Sequence, residues 1–109
     1  MGRKGLGELE QQVLLALLRL GGEAYSVPLV LEMEEKSGQE VAQAAVFIVL
    51  RRLEEKGLVS SRMEGASDTP TARERRYFKL EPEGRKRLEE ARRLVERLWG
   101  GIDTAWEDA

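Results

Sequence analysis

A set of residues at helical spacing in the middle of the chain has the side chains best suited to chemistry. Gln43, Phe47 and Arg51 follow one another at intervals of four residues, and Ala44 lies beside the first, so in a helix they share one face. A glutamine amide can pair with adenine, an arginine guanidinium with guanine, and an apolar side chain can contact a thymine methyl group. The chemistry open to this face is therefore recognition of base edges in duplex DNA. The alternatives are plain solvent exposure for Gln43 and Arg51, and a core or interface position for Phe47.

Cationic residues further along the chain could supply the matching contacts to a phosphate backbone. Such contacts give affinity and orientation but do not read sequence. The set consists of Arg52, Arg62, Arg73, Arg75, Arg76 and Lys79. For Arg52 a structural salt bridge is an equally good interpretation, and the arginines between residues 73 and 76 could instead protect a strand edge from aggregation.

The composition argues against catalysis. The 109 residues include no cysteine and no histidine, which removes thiolate and imidazole metal ligands and the commonest general base. Acidic pairs such as Glu34 and Glu35 have no accompanying nucleophile, so we interpret them as solvated helix charges. The sequence therefore predicts a protein that is not an enzyme and that uses neither a metal nor another cofactor.

Charge is distributed unevenly along the chain. The formal net charge is −2, but residues 1–50 carry −3, residues 51–98 carry +4 and residues 99–109 carry −3. A positive second half fits one DNA-facing side on an acidic body, although ordinary helix surface charge would look the same. No stretch reaches the roughly 20 apolar residues of a membrane span, and residues 1–7 lack the apolar core of a signal peptide. We therefore expect a cytoplasmic protein with no membrane partner.

Hydrophobic periodicity predicts three helices in the first half of the chain. Apolar residues recur at spacings of three and four over residues 7–20, and a Gly-Gly pair follows. A second helix begins after Ser26, which is a suitable N-cap residue. A third runs from about residue 42 to residue 56, with one apolar arc and, on another arc, the residues suited to base edges.

After residue 57 the period changes. Residues 58–63 and 75–80 predict two short strands, and the Gly-, Ser-, Thr- and Pro-containing segment between them predicts a long hairpin tip. A fourth helix opens at Pro82 and runs to about residue 98. This order is that of a winged helix-turn-helix, with three helices, a two-stranded wing and an added C-terminal dimerisation helix, an α+β fold that is mainly α.

The predicted organisation is a DNA-binding winged helix-turn-helix domain over residues 6–81, a dimerisation helix over residues 82–99 and a tail over residues 100–109. The fourth helix has an apolar stripe for which so small a domain offers no partner, and a homodimer built by the first and fourth helices explains it. The predicted interface residues are Leu9, Val13, Leu88, Ala91, Leu94, Val95, Leu98 and Trp99.

Four segments of the sequence resemble the PadR family of transcriptional regulators. They are LGELE, VLLALLRLGGEAYSVPLVLEMEEKSG, AAVFIVLRRLEEKGLVSSR and RRYFKLEPEGRKRL, in that order over about residues 6–98. Each segment alone is weakly specific, and the set together is fairly specific. The resemblance implies a dimer built by the C-terminal helix, a palindromic DNA operator and repression of transcription. In many members a small phenolic or drug-like effector relieves that repression, and the resemblance implies that Trp99, predicted in the dimer interface, could instead stack on a small aromatic effector.

The chain departs from the family pattern at three places. Phe47 stands where tyrosine is typical, so a hydroxyl contact to phosphate is lost, and Ala42 replaces the usual Ser or Thr N-cap at a cost of about 1 kcal/mol. Residues 71–74, Thr-Ala-Arg-Glu, replace the Arg-Gly-Gly-Arg wing of the subgroup that looks nearest. DNA binding is the first hypothesis, and Phe47, the glycine-free wing and the acidic net charge support an alternative to it. In that alternative, the winged helix has lost specific DNA binding and mediates protein interaction or dimerisation.

Overall fold

The computed structural model describes residues 5–65 and 75–102. Within them lie four helices and a three-stranded antiparallel sheet: α1 (Glu8–Arg19), β1 (Glu23–Ala24), α2 (Ser26–Ser37), α3 (Gln43–Glu55), β2 (Val59–Glu64), β3 (Arg75–Leu80) and α4 (Pro82–Trp99). The mainly helical winged-helix architecture predicted from the sequence is confirmed, and the predicted C-terminal helix is α4. Residues 66–74 of the predicted hairpin tip, which include Arg73, and residues 103–109 of the predicted tail lie outside the described residues.

Local hydrogen bonding and glycine geometry set the helix ends. The backbone N–H of Gly7 donates to Glu10 Oε1 at 2.8 Å, which caps the start of α1. The chain leaves α1 through Gly21 and Gly22, whose φ angles of 91° and 96° are accessible to glycine without steric cost. Ala42 precedes α3 and makes no side-chain capping bond, as its methyl group dictates.

The sheet has one strand more than the predicted two-stranded wing. β1 pairs with β3, with Glu23 opposite Lys79 and Ala24 opposite Phe78. β3 is therefore the central strand in the order β1-β3-β2. The expectation of two strands was wrong because a two-residue strand is too short to show the alternation by which strands are recognised in a sequence.

The core lies between the first three helices and one side of the sheet, where Phe78 is fully buried. The predicted apolar stripes supply most of it, in the form of Val13, Leu14, Leu17, Leu29, Val30, Met33, Val46, Val49, Leu50 and Leu53. Leu18 and Val27 are apolar and have the helical spacing of these stripes, but they are 38% and 42% exposed. Leu18 lines a groove beside α4, and Val27 lies one turn before the exposed Leu31 on the solvent side of α2.

The first turns of α4 attach it to the wing. The N–H of Glu81 donates to the Leu58 carbonyl at 3.0 Å. Gly84 lies against the same carbonyl, so closely that a Cβ atom there would overlap the oxygen. Leu88 is buried one turn further on, whereas Leu94 and the apolar residues that follow it in α4 are exposed. The helix therefore leaves the core after its first turns.

The contact at Gly84 gives a stability prediction with an unusual sign. Alanine in place of a helical glycine normally stabilises a protein by about 0.5–1 kcal/mol. Gly84→Ala should instead lower the free energy of unfolding by about 1–3 kcal/mol, because the new methyl group forces α4 away from Leu58. Urea unfolding followed by circular dichroism measures the change, with Lys86→Ala on the exposed side of the same helix as control. A Gly84→Ala protein as stable as the parent would contradict the packing described.

Candidate nucleic-acid interface

The side of α3 opposite the core is exposed. Its buried arc consists of Val46, Val49, Leu50 and Leu53. At 100° per residue, the residues of the first three turns furthest from that arc are Ala44, Ile48 and Arg51, and the exposed Glu55 at the end of the helix lies on the same side. The first three are exposed, Ile48 to 54%. Ala44 and Arg51 therefore lie where the sequence placed them, and Ile48 is an outward residue that the candidate set omitted although the helical period alone identifies it.

Gln43 and Phe47 lie on the flank of α3 that is turned towards α2 and the sheet. The Gln43 side-chain amide donates to Ser26 Oγ at 3.2 Å. The ring of Phe47 meets the buried ring of Phe78 edge to face, with centroids 6.0 Å apart and planes at 82°, a favourable aromatic geometry. Phe47 is nevertheless 40% exposed. It therefore extends the core to the surface and presents the rest of its ring beside Arg51.

Arg51 and Arg52 point to different surroundings. The nearest carboxylate to Arg51 is Glu54, with Nε 3.8 Å from Oε1, a contact too long for a strong charge-assisted hydrogen bond. Arg52 lies on the α1 side, near the ion pair of Lys56 and Glu10, whose Nζ and Oε2 are 2.6 Å apart. The outward face of α3 therefore includes Arg51, and Arg52 lies at its far margin.

The charge of Arg52 contributes to the titration of Glu10. Partial burial raises the pKa of Glu10, but hydrogen bonds from Lys56 and from the Gly7 backbone, with the charges of Lys56 and Arg52, lower it further. The net result is a pKa below the ordinary value for glutamate. Arg52 thus takes part in a structural charge cluster between α1 and α3.

Alternation along the strands divides the predicted phosphate contacts between two sides of the wing. The inner side packs towards α3 and includes Phe78, with Ser61 opposite it on β2, and Arg76 two residues before Phe78. The outer side faces away from α3. The cations on the outer side are Arg62, Arg75 and Lys79.

The outer side of the wing carries a stack of arginine and tyrosine side chains. Arg75 lies over the Tyr25 ring at 4.6 Å, and Arg62 lies over the Tyr77 ring at 5.0 Å. The two rings meet edge to face at 5.4 Å. Arg62 is also paired with Glu64 and with Glu23, whose Oε1 is 3.0 Å from Nη2. Its positive charge is therefore compensated within the wing itself.

Arg76, on the inner side, has a different environment. Its Nη1 donates to Ser61 Oγ at 2.9 Å, and Ser61 Oγ donates to Glu54 Oε2 at 2.5 Å. Among the described residues no carboxylate lies within ion-pair distance of Arg76. Hydrogen bonds thus connect the wing to α3 close to Arg51, and they bring Arg76 into the same surface region as the exposed face of that helix. These hydrogen bonds of Ser61 and Glu54 could not be predicted from the sequence, because they depend on the register of β2 against β3.

The described residues offer no competing type of site. Among them, no group of three or more His, Cys, Asp or Glu side chains is arranged to hold a metal ion. No helix in this part of the chain combines the length and apolarity needed to cross a membrane.

Three helices with an exposed third helix and an adjacent antiparallel hairpin define the winged-helix fold. The chain belongs to the PadR-like family of transcriptional regulators, whose family model matches residues 14–90. Proteins of this family are DNA-binding regulators and not enzymes. A comparison with curated protein sequences found no match.

Solved structures share the fold at low sequence identity. A PadR-like transcription factor from Bacteroides fragilis is 22% identical, with a TM-score of 0.68, over 93% of this chain and 89% of that one. A PadR family regulator from Eggerthella lenta is 24% identical, with a TM-score of 0.65, over 91% and 87%. F93 from STIV, a winged-helix DNA-binding protein, is 16% identical, with a TM-score of 0.67, over 90% and 98%.

Phe47 and Ile48 are adjacent in sequence but should differ in their effect on stability. Phe47→Ala removes the edge contact with Phe78 and should lower the free energy of unfolding by about 1–2 kcal/mol, less than a fully buried aromatic would. Ile48→Ala should change it by less than about 0.5 kcal/mol, because that side chain lies on the solvent side of α3. Urea unfolding of the two variants measures the difference. Equal losses would mean that the assigned phase of α3 is wrong.

Proposed function

We propose that this protein is a transcriptional repressor that binds a palindromic DNA operator as a homodimer. The observation that carries the proposal is the outward face of α3, where Ala44, Ile48 and Arg51 are exposed beside Phe47 and are not covered by any other described element. A helix with such a face fits the major groove of B-DNA.

The side chains of this face would contact different bases. Arg51 would donate to guanine, because Glu54 approaches it only at 3.8 Å. Gln43 would donate to and accept from adenine after exchanging its contact with Ser26 for the base. Ala44, Ile48 and Phe47 supply apolar surface for thymine methyl groups.

The phosphate contacts would come from the edges of this face and from the outer side of the wing. Arg76 is the best placed, because its charge is held near α3 by a neutral hydroxyl. Arg52 would add a contact from the α1 side of α3, and Arg75 and Lys79 would add contacts from the outer side of the wing. Arg62 contributes least, since Glu23 and Glu64 already compensate its charge. Arg73, predicted to contact phosphate, belongs to the part of the chain that the structure does not describe.

The proposed dimer rests on the apolar surface of α4 and α1. Leu98 and Trp99 at the end of α4 are 66% and 57% exposed, and Leu94 and Val95 one turn earlier are exposed as well. Leu15 of α1 is exposed too, and monomeric proteins seldom leave so many large apolar side chains open. A groove of about 440 Å³ between α1 and α4 is lined by five apolar residues, Leu15, Leu18, Leu88, Ala91 and Val95, and by five polar or charged ones, Gln11, Arg85, Glu89, Arg92 and Glu96.

Other predicted interface residues take a supporting place. Val13 and Leu88 are buried within this chain, and Leu9 and Ala91 are half-buried. They would hold α1 and α4 in position while the exposed residues meet the second copy. Trp99, with its ring exposed at the end of α4, is also where a small aromatic effector would stack. A two-fold axis through this surface sets the two recognition helices on successive major grooves.

One observation favours the second candidate function, a winged helix that binds protein instead of DNA. Arg62, which would contact phosphate in a DNA-binding wing, is engaged by two carboxylates, and the net charge is −2. Acidic proteins bind nucleic acid only where a local surface is positive. Arg51 and Arg76 are the cations that could make such a surface, and the match to a family of DNA-binding regulators is why DNA binding is the stronger proposal.

Selection from a random duplex pool tests the proposed DNA binding. The purified protein should enrich an inverted repeat with half-sites about one helical turn apart. If about six phosphates are contacted, log affinity should fall with log salt concentration at a slope near −5. The sign of regulation follows from placing the selected site between a promoter and a reporter gene, where a repressor lowers expression.

Variants within α3 separate base recognition from general affinity. Gln43→Ala and Arg51→Ala should reduce the discrimination between the selected site and a scrambled duplex by about tenfold or more each. Arg62→Ala, the matched arginine variant from the outer side of the wing, should leave discrimination unchanged. No enrichment by a protein that is folded and dimeric would support the protein-binding module instead.

The dimer is tested by placing a charge on the exposed end of α4. Leu98→Glu should convert a dimer to a monomer in analytical ultracentrifugation without lowering the stability of the protomer, because Leu98 is 66% exposed in the single chain. Lys86→Glu, on an exposed position near the start of α4, serves as the charge control and should remain dimeric. A parent protein that sediments as a monomer, or a dimeric Leu98→Glu protein, would rule out this interface.

A further inference from the structure

A serine of the wing connects the two arginines that the proposed function relies on. The Ser61 hydroxyl stands between Glu54 of α3 and Arg76 of β3, at 2.5 Å from the first and 2.9 Å from the second. Glu54 in turn is 3.8 Å from Arg51 Nε. One hydroxyl therefore joins three elements of the fold at the edge of the candidate DNA surface.

The direction of each hydrogen bond follows from the groups involved. An ionised carboxylate can only accept and a guanidinium can only donate. The single Ser61 proton is therefore given to Glu54, and a lone pair of the same oxygen accepts from Arg76. No other arrangement satisfies both neighbours, so the two contacts orient each other.

Without Ser61, the charge of Glu54 would be unfavourable for DNA binding at this position. A carboxylate beside a DNA-facing helix repels phosphate, and at a spacing of three residues it can pair with Arg51 and occupy its donors. The short bond to Ser61 holds one oxygen of Glu54 towards the wing, and the contact with Arg51 remains long. The guanidinium of Arg51 thus keeps donors available for a base.

Arg76 benefits from the same hydroxyl in a different way. A neutral acceptor fixes the direction of the guanidinium without cancelling its charge, whereas the carboxylates around Arg62 on the outer side compensate that arginine. Both side chains of the pair Ser61 and Arg76 are only partly buried, so phosphate can reach the cation.

We propose that Ser61 is a positioning residue for DNA binding, which keeps Glu54 away from Arg51 and directs Arg76 towards phosphate. This inference rests on the proposed DNA-binding function. It adds a residue of the wing that affects base recognition indirectly, through Arg51. Ser61 itself is not expected to contact DNA.

The test compares Ser61→Ala with the parent on the selected duplex across a range of salt concentrations. Ser61→Ala should weaken binding about tenfold and make the salt slope shallower by about one unit, since one phosphate contact is lost. It should also reduce discrimination against a scrambled duplex, because Glu54 can then pair with Arg51. Ser61→Thr keeps a hydroxyl and should bind within about threefold of the parent. Adding Glu54→Gln to Ser61→Ala removes the charge that competes for Arg51 and should recover discrimination against a scrambled duplex, although the salt slope stays shallow.

Ser60→Ala is the matched control. Ser60 donates to Glu81 at 2.6 Å, so this variant also deletes a part-buried hydroxyl-to-carboxylate bond from β2, but on the side away from α3. Its DNA affinity and salt slope should equal those of the parent. Urea midpoints of all variants separate loss of fold from loss of positioning.

Two results would overturn the inference. One is a Ser61→Ala protein that binds like the parent while Arg51→Ala and Arg76→Ala bind weakly. The other is an unchanged salt slope in Ser61→Ala with Glu54→Gln giving no recovery. If the parent protein enriches no duplex sequence, the proposed DNA-binding function is wrong. The coupling between Ser61 and Glu54 is then tested by urea unfolding alone. In that case, additive effects of Ser61→Ala and Glu54→Ala on the urea midpoint would show that the two side chains are not coupled.

Discussion

The position of Phe78 is the constraint on which the rest of the structure depends. It lies on the central strand, fully buried, opposite Ala24 on one neighbour and Ser61 on the other. Its ring also receives the edge of Phe47. The contacts of this one buried aromatic ring therefore constrain the distance between the sheet and α3 and the rotation of α3 about its axis. The outward direction of that helix, and with it the candidate DNA surface, follows from this contact.

The charges of the wing matter through their local partners, and the net charge of −2 says little about DNA binding. Arg62 and Arg76 are close together on a hairpin, yet strand alternation places them on opposite sides. Arg62 meets carboxylates from two strands, and Arg76 meets a hydroxyl. An acidic protein can in this way keep a cation accessible on one side of a wing and compensate the cation on the other.

The helices and the outward position of Arg51 could be predicted because each depends on the period of a single segment. Ile48 was predictable on the same basis. The winged-helix order then followed from the sequence of these segments along the chain. The strand β1 could not be recognised, because two residues show no period. The contacts of Ser61 were out of reach for a different reason. They require both the register of β2 against β3 and the phase of α3. Leu18 was unpredictable for a similar reason, because it is apolar and in phase with the core but lines the groove beside α4.

The strand β2 connects the candidate DNA surface to the start of α4. Its adjacent serines bond in opposite directions, Ser61 to α3 and Ser60 to Glu81 at the start of α4. Gly84 then brings α4 against the Leu58 carbonyl at the entry to the same strand. In the proposed dimer the spacing of the two recognition helices must match successive turns of DNA, so an angle fixed at this junction is required. A flexible junction would let each α3 find a groove separately, and an operator of defined spacing would no longer be distinguished from two isolated half-sites.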